Sequence, residues 1–376
     1  MGTKIMRGLL DSLQGVENYN QRVLRELKQR HQRVVLYGAG YCGQETEKLL
    51  RMRGIPVAGV CDDMRSGEMM NGHKIYALSD IKLDADTVIF LTSGFNRKMK
   101  QNLVDCGLKG AYVPVDFGRY EPEKETFAYF CQHEQELEEA YDLFSDDMSR
   151  TIFRQLITYR ITRKPGMMEP FEETGQYFPQ EKELDLRSYN DCFLDLGAYD
   201  GDSICGFVDY VGDYRKIIAV EASKKNYRML LEKTKALHDV ECHCVGIWHE
   251  RGQLRFTVSD AKNSFASSDG GSVLEVDSVD DILNGRPISF IKMDVEGAEY
   301  DALLGAEQTI SDSHPAMAVS IYHNVDDLYR LPLVIARLSS GGGTLSLLSA
   351  TLFTDHHRNG AVCRSLLTEK MFAKVA

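Results

Sequence analysis

The sequence predicts an α/β protein built from two Rossmann-like domains with parallel sheets. Apolar strand patterns alternate with helical patterns in two series, at about residues 33–117 and 191–338, as parallel sheets flanked by helices require. Each series opens with a strand that runs into a glycine turn, "VVLYGAGYCGQE" at 34–45 and "FLDLGAYDGDS" at 193–203. A Glu-rich stretch with helical spacing and no strand pattern separates the two series.

Five segments follow from these patterns. The first is an amphipathic helix with heptad-like spacing, followed by a Rossmann-like domain, a helical connector and a second Rossmann-like domain. A tail of different character ends the chain. The predicted boundaries are 1–30, 31–118, 119–180, 181–340 and 341–376.

Composition disfavours several classes of partner. The net charge of −12 argues against nucleic acid, because phosphate binding needs clustered Lys and Arg. No window approaches the roughly 18 consecutive apolar residues of a membrane span. The nine cysteines are scattered, which favours a reduced, cytoplasmic protein. Self-association into a homo-oligomer is left open.

A metal centre is not expected. The "CHC" stretch at Cys242–Cys244 has His238 and His249 nearby, and alternation in a strand would put both thiols on one face. No second CxxC or HxxxH motif supplies the remaining ligands of a zinc site. We therefore interpret these cysteines as ordinary strand residues.

The first glycine turn is a candidate nucleotide site. Gly38, Gly40 and Gly43 form G-x-G-x-x-G between a strand and a helix, where backbone amides can approach a pyrophosphate. Asp62 ends the next strand and could hold a ribose diol. The segment, with "VAGVCDD", Gly72 and "KIYAL", loosely resembles the amino-terminal Rossmann-like domains of sugar O-acyltransferases, which implies a nucleotide or nucleotide sugar. The alternative is a tight turn without a ligand.

The second glycine turn favours S-adenosylmethionine over a dinucleotide. Gly197 and Gly201 leave the backbone bare for the methionine moiety, and Asp195, Asp200 and Asp202 offer acceptors for its ammonium group. Glu221 ends the second strand, 26 residues after Asp195, where it can accept both ribose hydroxyls. The remaining predicted cofactor contacts are Ala198, Ala222 and Ser223.

Further motifs make a family resemblance specific. "ISFIKMDVEGAEYDALLGAEQTI" contains K-x-D-x-E-G-x-E followed by a helix with "LLGA", and "VEAS" and "AVSIYH" flank it in order. Together with "FLDLGAYDGDS" they resemble the FkbM family of S-adenosylmethionine-dependent methyltransferases. The resemblance implies a class I methyltransferase fold and O-methylation of a sugar, glycan or secondary-metabolite hydroxyl.

Catalytic candidates cluster at two predicted strand ends. Methyl transfer needs positioning and a base for the hydroxyl proton, and Asp294, Glu296 and His323 follow strands where ligands of open α/β sheets bind. Lys292 shares a strand face with Asp294 and could pair with it, or serve only as a salt-bridge partner. Glu299 and Asp301 are expected only to complement a helix dipole.

Two other functions compete with this interpretation. One is a nicotinamide-dependent sugar oxidoreductase using the 38–43 turn, although no Tyr-x-x-x-Lys dyad accompanies it. The other is a non-catalytic module whose first domain senses a nucleotide sugar. Neither accounts for the K-x-D-x-E-G-x-E motif.

The tail, residues 341–376, lacks the sequence segments with which FkbM-type chains commonly end. Codons for segments similar to "YLRHYS" and "ITETVLYA", read one base early, permit "LSATLF" and "HHRNGAVC", which stand at 348–353 and 356–363. We therefore expect a frameshifted ending that does not supply the last two strands of the sheet. The alternatives are a divergent but folded C-terminus and a disordered extension.

Overall fold

The protein was analysed as a computed structural model that describes residues 5–30, 32–81, 87–92, 96–108, 112–115, 117, 120–144, 146–167, 172–173, 177–178, 186–258, 264–266, 272–339, 344–355 and 358–368. It divides into two compact units. The first contains residues 1–133, 154–170 and 354–359, and the second contains 134–153, 171–353 and 360–376. The described elements are α/β in both units, which confirms the predicted fold class.

The elements up to residue 162 alternate strands with helices and then become helical. They are α1 (Ile5–Leu13), α2 (Tyr19–Arg30), β1 (Arg33–Tyr37), α3 (Tyr41–Met52), β2 (Val57–Cys61), β3 (Met69–Met70), β4 (His73–Tyr76), β5 (Thr87–Leu91), α4 (Asn96–Asp105), β6 (Tyr112–Pro114), α5 (Phe127–Gln132), α6 (Glu134–Leu143) and α7 (Asp147–Thr162).

The elements from residue 172 onward belong to the second unit, as α6 does, apart from the strand ends within 354–359. They are β7 (Glu172–Glu173), β8 (Cys192–Leu196), α8 (Asp202–Val211), β9 (Lys216–Val220), α9 (Lys224–Thr234), β10 (Val240–His243), β11 (Gly246–Ile247), β12 (Gly252–Val258), β13 (Ser264–Ala266), β14 (Ser272–Asp277), α10 (Val279–Leu283), β15 (Phe290–Met293), α11 (Glu299–Leu304), α12 (Glu307–Ser313), β16 (Ala316–Ser320), α13 (Asp327–Ser339), β17 (Thr344–Asp355) and β18 (Arg358–Thr368).

The first unit is built on a six-stranded sheet of order β3-β4-β2-β1-β5-β6. All neighbours in it are parallel except β3 and β4. Its strands carry near-continuous apolar runs, and Val34, Leu36 and Phe90 are completely buried, as expected for a sheet covered on both faces.

The leading segment forms two helices, whereas the sequence predicted one. Gly15 adopts a left-handed φ of 78° after α1, a conformation that ends helices. Asn18 then begins α2, because its side-chain Oδ1 accepts hydrogen bonds from the backbone N–H groups of Asn20 and Gln21. This local capping outweighs the heptad-like spacing.

The second unit contains an eight-stranded sheet of order β10-β9-β8-β15-β16-β18-β17-β7. Strands β10, β9, β8, β15 and β16 are parallel neighbours. Phe193 stacks on Phe207 and Phe290 with ring centroids 4.2 and 5.3 Å apart. The parallel strands end at a common edge, which brings the residues after β8, β9, β15 and β16 together.

The expectation that the tail lacks its last strands is wrong. β18 pairs antiparallel with β16, Ala318 opposite Arg364, and β17 lies beside β18. The segment of β17 contains neither glycine nor proline, so nothing in its backbone opposes an extended conformation. The frameshift itself stays a prediction about the gene.

Candidate functional site

The loop after β8 is shaped by two glycines with left-handed backbones. Gly197 and Gly201 have φ angles of 78° and 89°. A Cβ atom on Gly197 would lie 1.9 Å from the backbone oxygen of Asp294, so only glycine fits there. The N–H groups of Gly197 and Ala198 both donate to the carbonyl of Val220, at 2.9 and 3.0 Å. The loop is therefore held between the ends of β9 and β15.

Glu221 ties this loop to β9. Its Oε2 accepts from the N–H of Tyr199 at 2.9 Å, and its Oε1 accepts from the N–H of Ser223 at 2.8 Å. Burial raises the pKa of Glu221, while these two hydrogen bonds oppose that rise. The Asn226 side-chain amide also donates to Oε1, at 3.4 Å. Oε2 therefore keeps capacity for one further donor, and Oε1 can accept a ribose hydroxyl in place of this long contact. Ala222 and Ser223 follow in the same turn, and Ser223 caps α9.

Asp195 forms a buried ion pair with Lys292, which corrects the predicted pairing of Lys292 with Asp294. The Lys292 Nζ lies 3.0 Å from Asp195 Oδ1, and both side chains are at least 97% buried. The two residues stand opposite each other on β8 and β15, and cross-strand neighbours are closer than residues two apart on one strand. Burial opposes the charge of Lys292, but the carboxylates of Asp195 and Asp294 raise its pKa overall.

The Asp195–Lys292 pair also shapes the glycine loop. Lys292 Nζ donates to the carbonyl of Gly197 at 2.7 Å. Asp195 Oδ2 accepts from the hydroxyl of Ser203 in the first turn of α8. The Asp195 side chain is fully buried, so its contacts within the chain differ from the predicted contact with an ammonium group. Asp202, in contrast, lies on the exposed start of α8.

Asp294 lies at the centre of a group of donors. Its Oδ2 accepts from the Tyr177 hydroxyl at 2.8 Å, and its Oδ1 accepts from the Tyr322 hydroxyl at 3.3 Å. Burial, followed by the charge of Asp294, raises the pKa of Tyr177 well above its usual value, so Tyr177 keeps its proton. His323 Nε2 lies 3.2 Å from Asp294 Oδ1. The sequence analysis missed both tyrosines.

Glu296 occupies a backbone conformation unusual for its residue type. Its φ is 61°, and that of Gly297 is 102°. Such left-handed backbone in a residue with a side chain costs free energy and clusters at functional sites. The Glu296 Oε2 lies 3.7 Å from His323 Nε2, and its side chain is partly exposed, as is that of Asp294. The structure thus brings the predicted residues Asp294, Glu296 and His323 together.

Glu299 is a site residue that the sequence analysis assigned only to a helix dipole. Its side chain is completely buried, and its Oε1 lies 2.7 Å from His323 Nδ1. Its two oxygens also accept from the N–H groups of Val295 and Gly297, at 2.9 and 3.0 Å. The motif E-G-x-E, in which Glu299 is the second Glu, was the sequence signal that could have identified it. Its burial could not be predicted, because it depends on His323, which follows β16.

Asp294, Glu299 and His323 form one group among the described residues whose ligand-type atoms lie within 4.8 Å of one another. Asp294 lies against Nε2 of the His323 ring, whereas Glu299 lies against Nδ1. The imidazole therefore bridges two carboxylates, an arrangement that suits proton transfer. That the protein works without a metal stays a prediction.

The glycine turn of the first unit has a clear packing role. A Cβ atom on Gly43 would lie 2.1 Å from the backbone oxygen of Gly38, so glycine permits the close approach of α3 to the end of β1. Gly40 precedes α3 and has open space around it. Asp62 accepts from the backbone N–H groups of Ala39 and Met64. A nucleotide site at this turn stays a prediction.

Comparisons with known proteins show what the second unit and the whole chain are similar to. Residues 195–338 match the family described as the methyltransferase FkbM domain. Over the whole chain the fold is that of a crystal structure of the methyltransferase FkbM from Methylobacillus flagellatus, with a TM-score of 0.65 and 20% identity, covering 95% of this chain and 98% of that one. The match confirms the predicted methyltransferase-type fold.

A second solved structure shares less of the fold. Aeropyrum pernix fibrillarin, which carries natively bound S-adenosyl-L-methionine, has a TM-score of 0.32 and 13% identity over 49% of this chain and 70% of its own. No curated protein sequence matches the chain. Within the described residues, no helix is both long and apolar enough to cross a bilayer.

Proposed function

We propose that the second unit binds S-adenosylmethionine and transfers its methyl group to a hydroxyl of a small molecule or glycan. The observation that carries this proposal is the glycine loop 197–201, held between Glu221 on one side and Asp294 on the other. The loop opens at the carboxyl edge of a parallel sheet, where open α/β folds bind ligands. The match of residues 195–338 to the FkbM domain supports the same function.

The cofactor contacts divide between direct ligands and positioning residues. Glu221 accepts one ribose hydroxyl through the remaining lone pair of Oε2, and the other through Oε1 in place of the long Asn226 contact. The bare backbone at Gly197, Ala198 and Gly201 lies under the methionine moiety. Asp202, at the exposed start of α8, is the carboxylate that can reach an ammonium group, since Asp200 in the loop pairs with Lys233. Asp195 positions the loop through Lys292 and Ser203.

The bound sulfonium supplies an activated methyl group, so the protein must position the acceptor and remove its proton. Asp294 is the best-placed proton acceptor, because its carboxylate is partly exposed and fixed by Tyr177, Tyr322 and His323. Glu296 stands beside it, partly exposed, to orient the acceptor. A hydroxyl acceptor is favoured because oxygen must lose a proton during methylation, and carboxylates are suitable bases.

The proposal includes a reducing, cytoplasmic setting. Eight cysteines of the described residues carry free thiols, among them the buried Cys61 and Cys192. Such thiols persist in reducing compartments.

A transfer assay tests the function. The purified chain is incubated with methyl-labelled S-adenosylmethionine and a panel of sugars, glycans and aromatic or aliphatic alcohols, and S-adenosylhomocysteine formation is measured. We expect one acceptor class to be methylated, and Asp294→Asn to lower turnover about 100-fold or more with cofactor affinity retained. Cofactor binding without transfer to any hydroxyl class would contradict the proposal.

A further inference from the structure

The contact between Glu299 and His323 is a buried polar contact beside Asp294 that the proposed reaction has not used. Both side chains are completely excluded from solvent, and the Glu299 Oε1 is 2.7 Å from the imidazole Nδ1. At this distance the negative charge of the Glu299 carboxylate favours a proton on the ring nitrogen that faces it. It thereby selects which nitrogen carries the proton.

Glu299 is itself fixed by contacts that leave it little freedom. The N–H groups of Val295 and Gly297 donate to its two oxygens. These donors belong to the turn between Asp294 and α11, in which Glu296 and Gly297 have left-handed backbones. The strained turn therefore points two amides at a buried carboxylate, and this carboxylate faces His323.

The opposite edge of the imidazole faces the proposed base. Nε2 lies 3.2 Å from Asp294 Oδ1 and 3.7 Å from Glu296 Oε2. Of the four side chains, Asp294 and Glu296 are 18% and 23% exposed, whereas His323 and Glu299 are 0% exposed. An acceptor hydroxyl can thus reach Asp294 but cannot reach His323.

We infer that Glu299 is a positioning residue that keeps the proton of neutral His323 on Nδ1, so that Nε2 receives the acceptor's proton by way of Asp294. The inference rests on the proposed methyl transfer. The hydroxyl proton passes to Asp294 as the oxygen bonds to the methyl carbon and the carbon–sulfur bond breaks, leaving neutral S-adenosylhomocysteine. The proton then moves from Asp294 to Nε2, where Glu299 stabilises the imidazolium, and it returns through Asp294 to solvent.

Nitrogen NMR of the full chain labelled with ¹⁵N-histidine tests this assignment without a methyl acceptor. His323→Asn identifies the resonances of His323 among the ten histidines. We expect the neutral ring that persists at the high-pH end of a titration to carry its proton on Nδ1. A neutral ring protonated on Nε2 would overturn the inference, whether or not the protein is a methyltransferase.

Two variants separate positioning from a structural role. Glu299→Gln is expected to mix the two tautomers of His323 and to lower methyl transfer about 100-fold or more with S-adenosylhomocysteine affinity unchanged. Asp301→Asn is the matched control, because Asp301 lies on the same helix and contacts the partly exposed His249 at 3.0 Å. It should leave both readouts unchanged.

If Glu299→Gln leaves the Nδ1 tautomer intact, Glu299 does not position His323. If the tautomer responds as expected but the wild type transfers no methyl group, the proposed function fails and the Glu299–His323 contact stands.

Discussion

No side chain fits between Gly197 and Asp294, because a Cβ atom on Gly197 would lie 1.9 Å from the Asp294 carbonyl oxygen. Gly197→Ala must therefore move the loop away from β15 as well as strain a left-handed backbone. We expect it to abolish S-adenosylhomocysteine binding and to lower the free energy of unfolding by more than the ~1–2 kcal/mol of backbone strain alone.

Gly212→Ala is the control for that strain. Gly212 has the same φ of 78°, and a Cβ atom added there would have open space, with no other atom within 4 Å. In chemical denaturation the free energy of unfolding of Gly212→Ala should fall only by the strain contribution, and its cofactor affinity should be unchanged. Equal effects of the two variants would contradict a loop seated against Asp294.

Glu221 gives a prediction for cofactor affinity. Glu221→Gln keeps the size of the side chain but removes the charge that two ribose hydroxyls would contact, so S-adenosylhomocysteine should bind about 10- to 100-fold more weakly. Calorimetric titration measures this change. Glu232→Gln, at a 72% exposed side chain paired with Lys235, should bind as the wild type does.

Lys292 is expected to contribute to the stability of the fold more than to the chemical step. Lys292→Met leaves Asp195 buried without its cation, which typically costs about 3–5 kcal/mol, and urea denaturation measures the loss. Lys233→Met removes an exposed partner of Asp200 and should cost below about 1 kcal/mol. Similar losses in the two variants would show that the buried pair does not hold the loop.

Glu241 gives a prediction for acid stability. Hydrogen bonds from Arg286 lower the pKa of Glu241 from 4.5 to about 2. Because the folded state favours the carboxylate, its stabilisation is complete above pH 4.5 and is lost as the pH falls through about 2. Glu241→Gln should cost about 1 kcal/mol or less at pH 7, less at pH 2, and nothing once the pH lies well below the folded-state pKa of about 2. If the difference in free energy of unfolding between the wild type and Glu241→Gln grew as the pH fell, the predicted direction of the pH dependence would be contradicted.

The sequence predicted the fold class and the residues at the strand ends, because both follow from local patterns. It predicted Asp294 and His323 as separate candidates at the ends of successive strands, and the structure brings them within 3.2 Å because parallel strands end at one edge. It could not predict the partner of Lys292, because that partner depends on the register of β15 against β8. Glu299 was interpreted as a helix-terminal acid, because its burial under His323 is a tertiary contact.

The tail shows a different limit. The absence of the family's closing motifs predicted that these strands would be missing, yet β17 and β18 form there. A strand requires a backbone that can extend and a free sheet edge more than it requires a particular sequence motif. Reading the gene tests the frameshift prediction. If the neighbouring reading frame encodes no segments similar to "YLRHYS" and "TETVLYA", the frameshift prediction is contradicted.

Calorimetric titration of the full chain with S-adenosylhomocysteine tests the central claim most directly. The account predicts saturable binding of one ligand per chain in the micromolar range, lost in Gly197→Ala and retained in Gly212→Ala. No binding by the wild type at millimolar ligand would contradict the assignment of the 197–201 loop and Glu221 as a cofactor site.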